Sequence, residues 1–262
     1  MAVSCLILAA GMGSRLGNLT EDIPKALVSF LGKPLIEYQI NTLNSLGIER
    51  IAIATGYCSE KIDNLGYPTY FNQYFKDTNM VESLFSSIEF FSNIETDLLI
   101  SYGDIIYQKK NLKAVLNCKD DVSVMVDEKW NELWSKRNES VIEDAETLKL
   151  DKDGYIVELG KKPKSIDSID GQYTGLIFIK KNKIKDLIEF YKNMDREKIY
   201  DGKTFKNMFM TSFLQSLINF GWKIKATKVQ NGWLEVDTIK DLEIYSKLYD
   251  DGVLSTLWNK HD

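Results

Sequence analysis

Short apolar runs alternate along this chain with longer stretches in which apolar residues recur every three or four positions. Val3–Leu8, Arg50–Thr55, Tyr67–Phe71, Asp97–Tyr102, Asp121–Asp127, Gly171–Ile179 and Trp222–Val229 are of the first kind and predict strands. Leu35, Ile36, Ile40, Leu43 and Leu46, opened by Pro34 and closed by Gly47, predict a helix. Met80, Leu84, Ile88 and Phe91 share one face of a second helix, with Asn79 and Glu82 spaced as a capping box. Further helices are expected over Ile184–Tyr191, Phe205–Phe220 and Leu242–Leu257. The last is amphipathic and suits either packing on the sheet or a homodimer contact. Strands alternating with helices build βαβ units, so the expected fold is α/β with a mostly parallel central sheet flanked by helices.

The pattern lapses between about residues 128 and 172. Trp130, Trp134, Arg137, Glu143, Asp144 and Glu146 lie there in a polar stretch without clear periodicity. Thr147–Leu150 and Tyr155–Leu159 then read as a hairpin around Asp153-Gly154. No repeat, low-complexity tract or Pro-rich linker divides the chain, so residues 1–262 are expected to form one domain with a small β-rich insertion.

Composition excludes several functions. A net charge of −5 argues against nucleic acid as a partner, because such domains usually carry a basic face. Cys5, Cys58 and Cys118 are odd in number and far apart, which fits neither a disulfide framework nor a zinc cluster. The first residues, MAVSCLILAAG, have too short an apolar run for a membrane span and no cationic leader, so the expected setting is the cytoplasm, off the membrane. The one histidine, His261, stands next to the last residue, which leaves no Ser-His or Cys-His nucleophile and no His-ligated metal. Any metal here would take oxygen ligands, as Mg²⁺ does from Asp or Glu.

The chemistry concentrates in Leu6–Leu27, LILAAGMGSRLGNLTEDIPKAL. A strand runs into Ala9, Ala10, Gly11 and Gly13, whose small size lets backbone N–H groups face phosphate oxygens, and Arg15 and Lys25 supply a positive rim. Gly11, Gly13 and Gly17 are spaced one residue too widely for the dinucleotide fingerprint, and no G-x-x-x-x-G-K-[ST] occurs. Two further candidates lie far along the chain. Asp104 follows Gly103 at a strand's carboxyl end, where open α/β sheets bind ligands, although an Asp there also serves as a turn former. Glu235 and Asp237, two apart on an extended segment, project to one side, although Asp237 also reads as a helix cap.

The sequence L-A-A-G-x-G-x-R-L followed by P-K-A-L resembles the signature loop of the nucleotidyltransferases that activate sugar phosphates and phosphocholine. N-M-x-x-S-L, the W-x-x-x-W insertion, G-Q-Y-T-G-L and N-G-W-L-E-V-D are most similar to the phosphocholine cytidylyltransferases and the related phosphoglutamine cytidylyltransferases of capsule phosphoramidate synthesis. The resemblance implies the Rossmann-like fold of the nucleotide-diphospho-sugar transferases. It implies CTP as co-substrate, Mg²⁺, pyrophosphate release, and phosphocholine or L-glutamine phosphate as acceptor, yielding an activated precursor for surface polysaccharide decoration.

Carried onto this sequence, the resemblance makes Leu8, Ala9, Ala10, Gly11, Met12, Gly13, Ser14, Arg15, Lys25 and Gly103 the nucleotide-binding set. Asn79 and Ser83 would read the pyrimidine, although Asn79 is equally a helix cap. Asp104, Glu235 and Asp237 would hold Mg²⁺ on the phosphates, Arg15 the leaving pyrophosphate, and Lys25 the charge developing at the transferred phosphoryl group. Trp130, Trp134, Tyr173, Glu235 and Lys162 are the acceptor candidates. The two tryptophans read either as a lid over the substrate or as a packed helix face, and Lys162 either holds the acceptor's phosphate or is solvated. Lys161 replaces the acid of the E-K-P segment of sugar nucleotidyltransferases, which disfavours a sugar 1-phosphate as acceptor. A nucleotide-sensing protein without turnover is the alternative of another class, and it would be expected to lack a metal carboxylate or Lys25.

Overall fold

In the computed structural model, which describes residues 2–138 and 140–260, seven strands form one sheet. His261 lies outside the described residues. The strand order is Lys225–Val229, Val122–Asp127, Gln172–Ile179, Asp97–Tyr102, Val3–Leu8, Arg50–Thr55 and Thr69–Phe71. Gln172–Ile179 runs antiparallel to both its neighbours and every other pairing is parallel, so the sheet is mostly parallel and Rossmann-like.

Side chains alternate across each strand, which splits the core into two layers. Cys5 and Ile7 face the helices Leu35–Ser45, Lys109–Leu116, Trp130–Arg137 and Ile239–Asp250. Leu6 and Leu8 face Met80–Ser86, Lys181–Asn193 and Met210–Asn219. Among the described residues no helix is long and apolar enough to cross a membrane. The three cysteines are unpaired.

Several elements differ from the periodicity reading, each for a local reason. The helix expected over Asn79–Phe91 is two, Met80–Ser86 and Ile88–Phe91, because the Ser86 and Ser87 hydroxyls both donate to the Ser83 carbonyl at the break. Asn79 accepts from the Met80 amide, but Glu82 accepts from the Tyr191 hydroxyl instead of closing a capping box. A capping box does form at Thr238 and Asp241, which starts the last long helix at Ile239, earlier than expected, and it ends at Asp250. Phe209 is extended, so the helix expected from Phe205 begins at Met210. The insertion is mixed rather than β-rich: helices Trp130–Arg137 and Val141–Asp144 precede the hairpin Leu148–Leu150 and Ile156–Leu159. Trp130, Leu133, Trp134 and Arg137 are spaced as one buried helix face, a period that four residues in a polar stretch do not make conspicuous.

A short ladder outside the main sheet completes the frame. Trp233–Glu235 pairs antiparallel with Ile105–Tyr107, which directly follows Asp104. This pairing brings Glu235 opposite Ile105, so a segment near the end of the chain lies beside the carboxyl end of a central strand.

Candidate active site

The three central strands end at one edge in register, Leu8 opposite both Tyr102 and Ala54. The chain leaving Leu8 is held there by main-chain bonds: Gly103 N–H donates to the Leu8 carbonyl at 2.9 Å and Ala9 N–H to the Ala54 carbonyl at 2.8 Å. A Cβ at Gly103 would lie 2.7 Å from that Leu8 oxygen, so only glycine lets the strand ends approach so closely. Gly13 has φ +69°, and a Cβ there would press on Lys25 Cβ at 2.9 Å. The loop thus packs directly against the stem of Lys25.

Two clefts meet at this edge. The smaller, about 130 Å³, is lined by Leu8, Ala9, Ala10, Gly11, Lys25, Phe75, Thr78, Asn79, Met80, Ser83, Gly103 and Asp104. The larger, about 250 Å³, is lined by Arg15, Asn79, Met80, Tyr102, Trp134, Asp144, Glu146, Tyr173, Phe209, Thr211, Trp233, Glu235 and Asp237, among others. Between them lies a cluster of charge. Lys25 Nζ donates to Asp104 Oδ2 at 2.6 Å and also to Asp237 Oδ1, while Arg15 reaches the same Asp237 oxygen at 3.0 Å. Ligand oxygens of Asp104, Glu235 and Asp237 lie within 4.8 Å of one another. Asp104 Oδ1 is buried with no hydrogen-bond partner among the described residues, so that oxygen is directed at something the protein does not supply.

Burial alone would neutralise these groups, and their mutual arrangement decides otherwise. Burial works against the Lys25 ammonium, but Asp104, Asp237 and Glu235 outweigh it and hold its pKa above the ordinary value. Asp237, although buried, is held below the usual carboxylate range by Lys25, Arg15 and Arg137. Burial and the neighbouring Asp237 push the Glu235 carboxyl up to about 7, with Arg137 opposing them.

Arg137 holds the charged cluster together, although its sequence position gave it no role in the site. Its guanidinium, only 4% exposed, bonds Glu235 Oε2 at 2.8 Å through Nη1 and Asp241 through Nε and Nη2, with Asp237 Oδ2 3.5 Å away. Asp241 in turn accepts from the amides of Asp237 and Thr238. Thr238 supplies the helix cap, which leaves the Asp237 carboxylate directed at Lys25 and Arg15. The available signal was Arg137's place seven residues after Trp130 on a buried face, where a cation requires an anionic partner.

Not every expected acceptor residue reaches the clefts. Trp134 lines the larger one, but Trp130 does not: it packs edge-on against Trp134 at 6.1 Å within the core, so the pair is a packed face and not a lid. Tyr173 lines the larger cleft with its ring edge-to-face against Tyr102 at 5.7 Å. Lys162 is exposed, lines neither cleft, and donates to the Glu143 carbonyl. Met12 and Ser14 are exposed on the loop and likewise line neither cleft. Glu146, Phe209 and Thr211 line the larger cleft without having been singled out, because nothing in their local pattern distinguishes them from a solvated turn or an ordinary core position.

Residues 5–157 match the family model of the MobA-like NTP transferase domain. The chain is 40% identical over 255 residues to the CTP:phosphoglutamine cytidylyltransferase of Campylobacter jejuni, covering 92% of this chain and 98% of that one. It is 46% identical over 87 residues to the choline-phosphate cytidylyltransferase of Streptococcus pneumoniae, covering 32% and 38%. Among solved structures, the inositol-1-phosphate CTP transferase of T. maritima superposes with a TM-score of 0.71 at 24% identity, covering 98% and 96%. The chain belongs to the MobA-like NTP transferase family.

Proposed function

From that membership and the geometry of the two clefts, we propose that the protein is a Mg²⁺-dependent cytidylyltransferase. It transfers the cytidylyl group of CTP to the phosphate of a small acceptor, L-glutamine phosphate before phosphocholine, and releases pyrophosphate. The observation that carries the reading is the position of Lys25, Asp104, Glu235 and Asp237 on the seam between a small cleft and a larger one. In this assignment the small cleft takes the nucleotide and the larger takes the acceptor, so the two reacting phosphates meet at the charged seam.

The residues fit a hard divalent cation. Three carboxylates with ligand oxygens within 4.8 Å of one another make the oxygen-only donor set that Mg²⁺ prefers, and Asp104 also carries a buried oxygen, Oδ1, with no partner among the described residues. When bound, Mg²⁺ supplies charge neutralisation on the triphosphate. The rest is done by side chains. Lys25 is held charged beside the seam to stabilise the transferred phosphoryl group, and Arg15, 63% exposed, stands at the mouth of the larger cleft for the leaving pyrophosphate. A phosphate acceptor is already ionised near neutral pH, so the site needs no general base. Catalysis is then positioning and electrostatics.

The larger cleft suits an acceptor bearing a cationic nitrogen, because Asp144 and Glu146 supply negative charge and Trp134, Tyr102, Tyr173 and Phe209 supply ring faces. Both acceptors carry such a nitrogen. L-glutamine phosphate is favoured because the similarity to the phosphoglutamine relative spans 98% of that protein, against 38% for the choline-phosphate relative. The reading takes residues 1–262 as one domain in which 128–172 forms part of the acceptor side. It sets the enzyme in the cytoplasm, where its product is an activated precursor for decorating surface polysaccharide. The same reading allows a homodimer formed through the last long helix, Ile239–Asp250.

The test is pyrophosphate release with Mg²⁺ across the four nucleoside triphosphates and a panel of glutamine phosphate, phosphocholine and sugar 1-phosphates. CTP with glutamine phosphate should be fastest. Release from no pair would move the protein to the nucleotide-sensing class, and a sugar phosphate as best acceptor would overturn the acceptor assignment.

A further inference from the structure

The wall of the small cleft contains a hydrogen-bond chain that leads back to a residue outside the cleft. Asn72, 3% exposed, follows the edge strand Thr69–Phe71 and is tied to the next strand by its amide N–H, 2.8 Å from the Thr55 carbonyl. Its side-chain oxygen accepts from the Tyr74 amide at 3.0 Å. A backbone N–H can only donate, so this bond fixes which way the Asn72 amide is turned. Its nitrogen then faces Thr78 Oγ1 and Ser83 Oγ, each at 3.0 Å, and both amide protons are used. Thr78 gives its own proton to the Tyr74 carbonyl at 2.9 Å, which agrees with its accepting from Asn72.

The consequence falls on Ser83. Its oxygen accepts from Asn72, and among the described residues no acceptor takes its own proton, so the hydroxyl presents a donor to the cleft it lines. Asn79 is set the same way. Its side-chain oxygen accepts from the Met80 amide at 2.8 Å, which turns its N–H groups outward, one of them toward the Asn207 carbonyl at 3.4 Å. One wall of the cleft therefore offers donors from both side chains. Cytosine carries adjacent acceptors, O2 and N3, on one edge, whereas uracil carries an N–H donor at position 3.

Resting on the reading that CTP occupies this cleft, we infer that Asn72 is a specificity-positioning residue: by donating to Ser83 it fixes that hydroxyl as a donor, and so selects cytosine over uracil. Uracil would set its N3–H against the Ser83 proton. Turning the hydroxyl to accept would leave that proton without the partner a ligand provides, the kind of unmatched polar contact by which sites reject close analogues. Asn72 touches no ligand and acts only through Ser83.

The experiment reverses the polarity. In Asn72→Asp, one carboxylate oxygen still serves the Tyr74 amide and the other accepts the Ser83 proton, so Ser83 turns a lone pair to the cleft. Assayed at about pH 8, where that carboxyl is ionised, the ratio of kcat/KM for CTP over UTP should fall by about tenfold or more. The fall should come mainly through KM, with UTP turnover raised above the parent's. Adding Ser83→Ala should abolish the difference between Asn and Asp at position 72. Equal slowing of both nucleotides, or an unchanged ratio, would make Asn72 a loop anchor only and overturn the inference. Should Asn72→Asp not fold, Ser83→Ala alone decides: a lowered ratio supports the role, and an unchanged one refutes it. A parent enzyme that binds CTP and UTP alike in calorimetry refutes the CTP reading itself. A parent that prefers CTP, with a preference that survives both substitutions, refutes only the part given to Asn72 and Ser83.

Discussion

The charged seam and the small cleft share Lys25 and Asp104 on their border, yet they are built in opposite ways. The seam joins Arg15, Lys25, Asp104, Arg137 and Asp237, ion pairs between positions up to 222 residues apart in the chain. The wall of the small cleft is set by neutral hydrogen bonds between Asn72, Thr78 and Ser83, no more than 11 residues apart. Apart from Arg15, which is 63% exposed, these charges are held out of water and stay only if matched, so the buried part of the seam is an all-or-none assembly. Neutral dipoles can be exchanged one at a time and alter which ligand fits. The difference predicts that damage to the seam removes rate and stability, whereas damage to the wall of the small cleft removes discrimination.

The severest test of that contrast is Lys25→Ala. It should lower kcat by about two to four orders of magnitude, as loss of a major transition-state donor does, with a smaller effect on KM. A variant keeping more than half the parent rate would break the role given to Lys25.

Next comes Arg137→Ala, which leaves Glu235, Asp237 and Asp241 without their shared buried cation. Breaking a buried pair in this way costs about 3–5 kcal/mol, to be read from the midpoint of urea unfolding. A change within about 0.5 kcal/mol would mean that the carboxylates find other partners and that the seam is not all-or-none.

A subtler probe is pH. Glu235, with its carboxyl pushed up to about 7, holds a proton through much of the range in which Mg²⁺ would need it ionised. The apparent Mg²⁺ affinity should therefore weaken by about tenfold between pH 8 and pH 6, measured by activity against Mg²⁺ concentration. The sign reverses for the metal-free fold. A carboxyl raised above its unfolded value stabilises the fold at low pH, and that contribution is lost as pH rises through about 7. Affinity that does not change with pH would remove Glu235 from the metal set.

The smallest effect is expected on the neutral side, at Gly11. A Cβ there meets nothing within 4 Å, and Gly11 is not among the residues with positive φ, so Gly11→Ala should leave Tm unchanged. Gly11 lines the small cleft, so with an added methyl KM for CTP should rise by about tenfold while kcat holds. A rise of that size in UTP's KM as well would sharpen the contrast further, because it would assign Gly11 to space and Ser83 to polarity.

The features legible in the chain alone are the local ones. The alternation of apolar runs with helical periods was enough for a mostly parallel α/β sheet, since burial on a strand follows a period of two and on a helix a period near 3.6. Leu8, Ala9, Ala10, Gly11 and Lys25, which line the small cleft, could be nominated from sequence because small residues after a strand and a nearby cation follow one another in a fixed order. Asp104, Glu235 and Asp237 could be nominated singly, from a strand end and a two-residue spacing. Which of these groups meet depends on pairing between distant segments. Glu235 lies beside Asp104 only because Trp233–Glu235 pairs with Ile105–Tyr107, a ladder of three residues per strand that no pattern announces. Arg137 enters the site because its helix buries the tryptophan face, which leaves a guanidinium in the core that must find carboxylates. Trp130 packs in the core for the same reason, and Lys162 is exposed and donates to the Glu143 carbonyl, away from both clefts. Pairings between distant segments depend on register and packing summed over the whole chain, so the physics that placed these charges together is absent from any window of sequence short enough to read.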